Sequence, residues 1–194
     1  MEKRLSFKTM GGIIVLVIIL DQITKYIIKT NMRLGESIPV LGNFFCITYV
    51  ENPGMAFGIR VSNPVVFSAL SLFAAALVFY YLFRLRNEGW LIQTALSLIA
   101  AGAIGNLLDR FIHGKVVDFL DVEFFDISIP AFRFLSLEFP GYSMTRWPVF
   151  NVADSAVTVG MTILIFYIIF IGDPLKNLEY PGQSSKSEAK TETE

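Results

Sequence analysis

The chain has 194 residues, of which 54% are hydrophobic and 14% aromatic, with a mean hydropathy of +0.57. That is too apolar for an ordinary water-soluble domain and fits a small protein that threads a membrane several times. A formal net charge of −1 gives no support to nucleic-acid binding. One cysteine, Cys46, and one histidine, His113, exclude an internal disulfide and argue against a zinc site built on His and Cys. Cys46 lies in an apolar run and reads as a packed small side chain rather than a nucleophile.

A membrane-crossing helix needs about 20 apolar residues, and four segments qualify. The first, about 10–28, is interrupted by Asp21, Gln22 and Lys25. It is too long and too polar at its outer end for a cleavable signal peptide, and no small-residue cleavage site follows it. Asp21 and Lys25 stand four apart and share one helix face. Two readings stay open for them: an ion pair that makes insertion tolerable, with Lys25 snorkelling outward, or the polar wall of a substrate cavity. Residues 29–63 form a first outer region. Here Phe45, Ile47 and Tyr49 alternate with Cys46, Thr48 and Val50 between glycines and prolines, which predicts a strand in a small sheet on the membrane surface. Asn52-Pro53-Gly54-Met55-Ala56-Phe57-Gly58 marks a turn; alternatively Asn52 and exposed backbone groups hold an extended peptide.

The second segment, 64–83, carries no charge and opens with a proline at a position helices tolerate. The third, 90–108, is also uncharged, and Ala100, Ala101, Gly102, Ala103 and Gly105 let a neighbouring helix come close. It ends at Gly105-Asn106-Leu107-Leu108-Asp109-Arg110, where the spacing lets Asn106, Asp109 and Arg110 contribute to one cluster. Asp109 and Arg110 either anchor the helix end, or Arg110 binds lipid phosphate or holds a carboxylate in place. A second outer region, 109–148, is rich in Phe and carries Tyr142 and Trp147 near the return into the bilayer, as interfacial belts prefer. The fourth segment, 149–171, places Asn151 and Asp154 on one face of its first turns and stops at Gly172-Asp173-Pro174. Residues 173–194 read as a polar, disordered tail.

These segments predict a mainly α membrane protein: one domain over 1–172 with four transmembrane helices, a small outer β-cradle and an outer loop or lid. An even number of spans puts both termini on one side. Lys3, Arg4, Lys8, Arg84, Arg86 and Lys176 favour the cytoplasm, although Arg33, Arg60, Arg110, Lys115, Arg133 and Arg146 then lie outside.

That topology brings Asp118, in Val116-Val117-Asp118-Phe119, and Asp154, in Phe150-Asn151-Val152-Ala153-Asp154-Ser155, to the same side of the bilayer. A carboxylate at the centre of a membrane helix costs about 2.5–3.5 kcal/mol on insertion scales, so each is a functional candidate. Two that converge make an acid–base pair, because like charges leave one proton on the pair. The ionised member deprotonates water; the protonated member polarises a carbonyl and then protonates the leaving amine. The helix N-terminus beside Asp154 favours its charged form, which points to Asp154 as base and Asp118 as acid, although the pair titrates as a unit. Two rivals stand beside this. One is a proton-coupled transporter relaying through Asp21, Lys25, Asp118 and Asp154, against which the lack of inverted repeats argues. The other is a serine–lysine protease using Ser155 or Ser143 with Lys115.

The motif blocks occur in a fixed order: Asp21-Gln22-Ile23-Thr24-Lys25, Asn52-Pro53-Gly54-Met55-Ala56-Phe57, Gly105-Asn106-Leu107-Leu108-Asp109-Arg110, Val116-Val117-Asp118-Phe119 and Phe150-Asn151-Val152-Ala153-Asp154-Ser155. In this the chain resembles the lipoprotein signal peptidases, the bacterial signal peptidase II family of aspartic peptidases, over roughly residues 10–171. The resemblance implies an enzyme of the bacterial inner membrane with cytoplasmic termini, needing no metal or cofactor and blocked by globomycin; a monomer is expected, although the sequence itself does not give the oligomeric state. It implies cleavage of prolipoprotein signal peptides just before a cysteine that already carries diacylglyceryl, among membrane lipids and with no nucleic acid. Asp118 and Asp154 match the catalytic pair. Asn52, Gly54, Asn106, Asp109, Arg110, Asn151 and Ala153 match positions that bind substrate or support the site, and Asp21 and Lys25 match the motif on the first helix. One departure stands out: the stretch from Ile129-Pro130 to Pro148 is longer than the family pattern. It is either a lid, which its aromatic residues favour, or an insertion of one family branch.

Overall fold

The computed structural model describes residues 4–53, 55–56, 59–60, 64–123, 126–134, 137–139 and 141–172. Gly54 and the tail expected over 173–194 lie outside the described residues. Helix α1 (Phe7–Asn31) starts where Ser6 turns extended and its hydroxyl accepts the Thr9 N–H at 3.1 Å. Val15, Leu16, Ile19, Leu20, Ile23 and Ile27 are exposed along α1, while its buried residues are Met10, Asp21 and Lys25. Apolar side chains outside and charged ones inside is the arrangement a lipid solvent selects.

Helices α2 (Pro64–Arg84), α3 (Trp90–His113) and α4 (Val152–Phe170) follow. Among the described residues, α1, α3 and α4 are long and apolar enough to cross a membrane, and α2 carries an apolar run over Ala69–Arg84. Helix α3 is central and packs against the other three. Its contact with α4 is backbone to backbone. A Cβ on Gly102 would fall 2.2 Å from the Ala153 carbonyl oxygen, and one on Gly160 would fall 2.6 Å from that of Ala95. Only glycine fits at these two crossings, which seat α4 closely along α3 from Ala153 beside Gly102 to Gly160 beside Ala95.

Outside the helices, β1 (Ser37–Leu41), β2 (Phe45–Asn52) and β5 (Val116–Val122) form an antiparallel sheet in the order β1-β2-β5. The short β3 (Met55–Ala56) pairs with β4 (Ile59–Arg60). The strand predicted from the alternation around Phe45–Val50 is β2. Strand β5 has no such signature, because Val116, Val117, Asp118 and Phe119 are all buried and the chain is covered on both sides. Gly114 ends α3 in the left-handed conformation (φ 71°) and donates its N–H to the Arg110 carbonyl at 3.0 Å. The chain therefore reverses into β5 within two residues, which sets Asp118 beside the helix ends. Phe150, just ahead of α4, bonds Leu120 of β5 in both directions, at 2.7 and 3.0 Å.

The long second outer region folds as nested ladders: β6 (Ile127–Ile129) pairs with β9 (Tyr142–Met144), and β7 (Phe132–Phe134) with β8 (Leu137–Phe139). Arg146 closes its base, donating to Asp121 at 2.7 Å, to Glu123 at 3.1 Å and to the Asn43 carbonyl at 2.9 Å. Thr48 donates to the other oxygen of Asp121 at 2.6 Å. Overpacking a close helix crossing costs about 1–3 kcal/mol. Gly102→Val is therefore expected to lower the unfolding temperature in detergent, and a variant as stable as the parent would contradict this packing.

Candidate active site

The start of α4 is a capping box. Asn151 is the N-cap: its side-chain oxygen accepts the Asp154 N–H at 2.9 Å, and Asp154 Oδ2 accepts the Asn151 N–H at 3.2 Å. The Asn-x-x-Asp spacing thus turns the Asp154 side chain back over the helix end, where free N–H groups and the helix dipole suit an anion. Asn151 is fully buried, and its amide nitrogen donates to Asp118 Oδ1 at 2.7 Å. One residue therefore holds both carboxyl groups, Asp118 by its side chain and Asp154 by its backbone. Two further amides complete the set: Asn52, at the end of β2, donates to Asp118 Oδ2 at 3.2 Å, and Asn106 donates to Asp154 Oδ1 at 2.7 Å.

Behind Asn106 lies a buried ionic cluster. Lys25 Nζ sits 2.8 Å from Asp21 Oδ2, 2.8 Å from Asp109 Oδ2 and 3.1 Å from Asn106 Oδ1. Asp21 Oδ1 accepts the Ala153 N–H at 2.9 Å, so α1 reaches the first turn of α4 directly. Asp21 and Lys25 are therefore both an ion pair and part of the wall behind the carboxyl pair. Asp109 joins this cluster rather than anchoring the helix end, while Arg110 donates to the Asn106 carbonyl at 3.2 Å and lies within electrostatic reach of Asp154, Asp118 and Asp109.

Sequence reasoning missed Gln22 and the particular need for Gly105. The Gln22 amide donates to Asp109 Oδ1 at 3.0 Å and to the Gly105 carbonyl at 3.3 Å. A Cβ on Gly105 would fall 2.7 Å from Asp21 Oδ2. Gln22 stands three residues before Lys25, a spacing that shares a helix face, but an uncharged amide beside the Asp21–Lys25 pair reads only as a break in the apolar run. The groups a serine–lysine protease would need lie apart: Lys115 bonds Glu51 at 3.0 Å, Ser155 donates to the Asn151 carbonyl at 2.8 Å, and Ser143 is exposed on β9 opposite Ser128. Among the described residues, no group of three or more His, Cys, Asp and Glu is arranged to hold a metal ion.

Burial pushes the Asp118 carboxyl up to about 7, and the negative charge of Asp154 adds to the rise, while hydrogen bonds from Asn52 and Asn151 oppose it. A carboxyl group that titrates near neutrality can hold a proton for chemistry at physiological pH.

The sequence profile of the signal peptidase (SPase) II family matches residues 13–170. A lipoprotein signal peptidase of Syntrophus aciditrophicus is 38% identical over 159 residues, covering 79% of this chain and 88% of that protein. One of Staphylococcus aureus is 34% identical over 169 residues, covering 87% and 93%. A bacterial membrane enzyme structure solved by the in meso method at 2.3 Å superimposes with a TM-score of 0.68 at 32% identity, covering 87% of this chain and 92% of that one. A second, at 1.9 Å, gives 0.67 at 33% identity over 88% and 99%. The chain belongs to the signal peptidase II family. It is a multi-pass membrane peptidase that removes signal peptides.

An unfolded Asp titrates near 4, and the folded value of about 7 lies above it. The stability that protonated Asp118 contributes is therefore lost as pH rises through that window. The side-chain amide introduced by Asp118→Asn cannot ionise, so the unfolding temperature of that variant relative to the parent should rise between about pH 5 and about pH 8. An equal difference at both pH values would contradict the raised value.

Proposed function

We propose that the protein is an aspartic endopeptidase that cleaves prolipoproteins just before a diacylglyceryl-modified cysteine, using Asp118 and Asp154 as one acid–base pair. The observation that carries this reading is the double engagement of Asn151, which donates to Asp118 at 2.7 Å through its amide and to Asp154 at 3.2 Å through its backbone. A residue that grips both carboxyl groups keeps two like charges close, and close like charges retain one proton between them. Asp154, over the helix N-terminus, takes the proton from the attacking water. Asp118, whose carboxyl burial pushes up to about 7, polarises the scissile carbonyl and then protonates the leaving amine. The family removes signal peptides from lipoproteins; cysteine-directed cleavage and the carboxyl pair are what we add to that.

In this reading α2 is the fourth transmembrane helix, both termini are cytoplasmic, and the site opens near the outer face of the bacterial inner membrane. Asn52, Gly54 and the end of β2 hold the substrate as an extended strand, Arg110 steadies the charge of the pair, and the β6–β9 ladders act as a lid over the outer mouth. The enzyme acts as a monomer among membrane lipids. The test is cleavage of a diacylglyceryl-modified prolipoprotein in detergent, followed by gel shift. Removing a catalytic acid or base costs about 10²–10⁴-fold, so folded Asp118→Asn and Asp154→Asn should each lose at least that much while Ser155→Ala keeps most activity. Cleavage that survives in both Asp variants and vanishes in Ser155→Ala would sink the reading. No cleavage by folded parent protein would redirect attention to proton-coupled transport.

A further inference from the structure

Lys25 does more than neutralise two aspartates. An ammonium has three N–H donors, and three acceptors meet it: Asp21 Oδ2 and Asp109 Oδ2 at 2.8 Å and Asn106 Oδ1 at 3.1 Å. It has no acceptor, so the atom of the Asn106 carboxamide that faces it has to be oxygen. Asn151 supports the same choice from the other side without fixing it alone, because its amide nitrogen, which donates to Asn106 Oδ1 at 3.1 Å, also serves Asp118 Oδ1 at 2.7 Å and the Val117 carbonyl at 3.3 Å. The orientation of Asn151 is itself fixed, since its oxygen caps the Asp154 N–H at 2.9 Å. With its oxygen held between two donors, Asn106 has its NH2 group against Asp154 Oδ1 at 2.7 Å. Turning that amide over would set NH2 against an ammonium and a second NH2, and would set its oxygen against a carboxylate. Each of those contacts is unfavourable among polar groups that are largely removed from solvent.

We propose that Lys25 is a positioning residue: it locks the Asn106 carboxamide one way round, so that Asn106 donates to Asp154 and keeps Asp154 as the acceptor that takes the proton from water. The lock joins residues 81 positions apart, on α1 and α3, to a third on α4. It rests on the aspartic-pair reading and adds to it the residue that fixes one member's role. Lys25 acts on Asp154 through Asn106, whose two ends bond the ammonium and the carboxylate.

The test separates orientation from charge balance. Lys25→Met alone would leave Asp21 and Asp109 facing each other without a cation, so it is made in an Asp109→Asn background and compared with Asp109→Asn alone. Both proteins are checked for cooperative unfolding, and kcat and KM are measured on a diacylglyceryl-modified peptide. Loss of a group that holds catalytic geometry costs about 100-fold, so kcat of K25M/D109N should fall by more than about tenfold at unchanged KM. A smaller fall, or a loss carried by KM, would show that Lys25 only balances charge and would overturn the proposal. If K25M/D109N does not fold, K25Q/D109N replaces it, because Gln is neutral yet still offers an N–H to Asn106. That variant should stay within about tenfold of D109N in kcat, and a larger loss would overturn the lock. Asp154→Asn is run alongside: full cleavage by that variant would end the aspartic-pair reading itself, whereas a dead Asp154→Asn beside an active K25M/D109N would end only the role given to Lys25.

Discussion

A carboxylate can sit beside hydrocarbon only if its oxygens are met by donors, and this constraint organises the end of the helix bundle where α3 stops and α4 starts. Asp21, Asp109, Asp118 and Asp154 are gathered among three helices and a strand, and both oxygens of each accept from an N–H. The donors are Lys25, Gln22, Asn52, Asn106, Asn151 and the backbone of Val117, Ala153 and Asn151. The set divides by chemistry. Asp21 and Asp109 meet a full cation, Lys25, and are paired as a buried ion cluster. Asp118 and Asp154 are met by neutral amides, which satisfy them without cancelling their charge. A pair left in that condition is the one able to exchange a proton.

The helices make room for this arrangement by losing side chains. Gly102 and Gly160 let α3 and α4 touch backbone to backbone, and Gly105 leaves space for the carboxylate of Asp21. Close helices bring polar groups on different helices within hydrogen-bond reach, so the small residues and the polar network serve the same end. The sheet contributes in another way. Strand β5 is pinned to β2 on one side and to Phe150 on the other, which fixes Asp118 against the start of α4. The capping box then makes a helix-starting device and a candidate site out of the same two side chains, Asn151 and Asp154.

Much of this was legible in the amino-acid sequence. Hydropathy gave helices close to those of α1, α3 and α4, and alternation gave β2. The polar residues at the helix ends stood out because polarity there is costly. The rest was hidden for physical reasons. Strand β5 is buried on both faces and shows no alternation. Gln22 finds its partners Asp109 and Gly105 on another helix, and the contacts of Lys25 with Asn106 and Asp109 likewise join α1 to α3 across more than half the motif-bearing chain. Periodicity reads one element at a time, whereas this site is made of contacts between elements. The nested ladders from β6 to β9 were visible only as excess length rich in aromatic residues.

The central claim is that Asp118 and Asp154 share one proton and work as a unit. Single-turnover cleavage of a diacylglyceryl-modified substrate, measured across pH in one detergent and lipid mixture, tests it most directly. A bell-shaped profile is expected, falling on the acid side when the pair gains a second proton. On the alkaline side it falls above about pH 7, where Asp118 loses the proton it holds. A rate that stays level from acid through alkaline pH in folded protein would contradict the shared proton, and with it the acid–base pair.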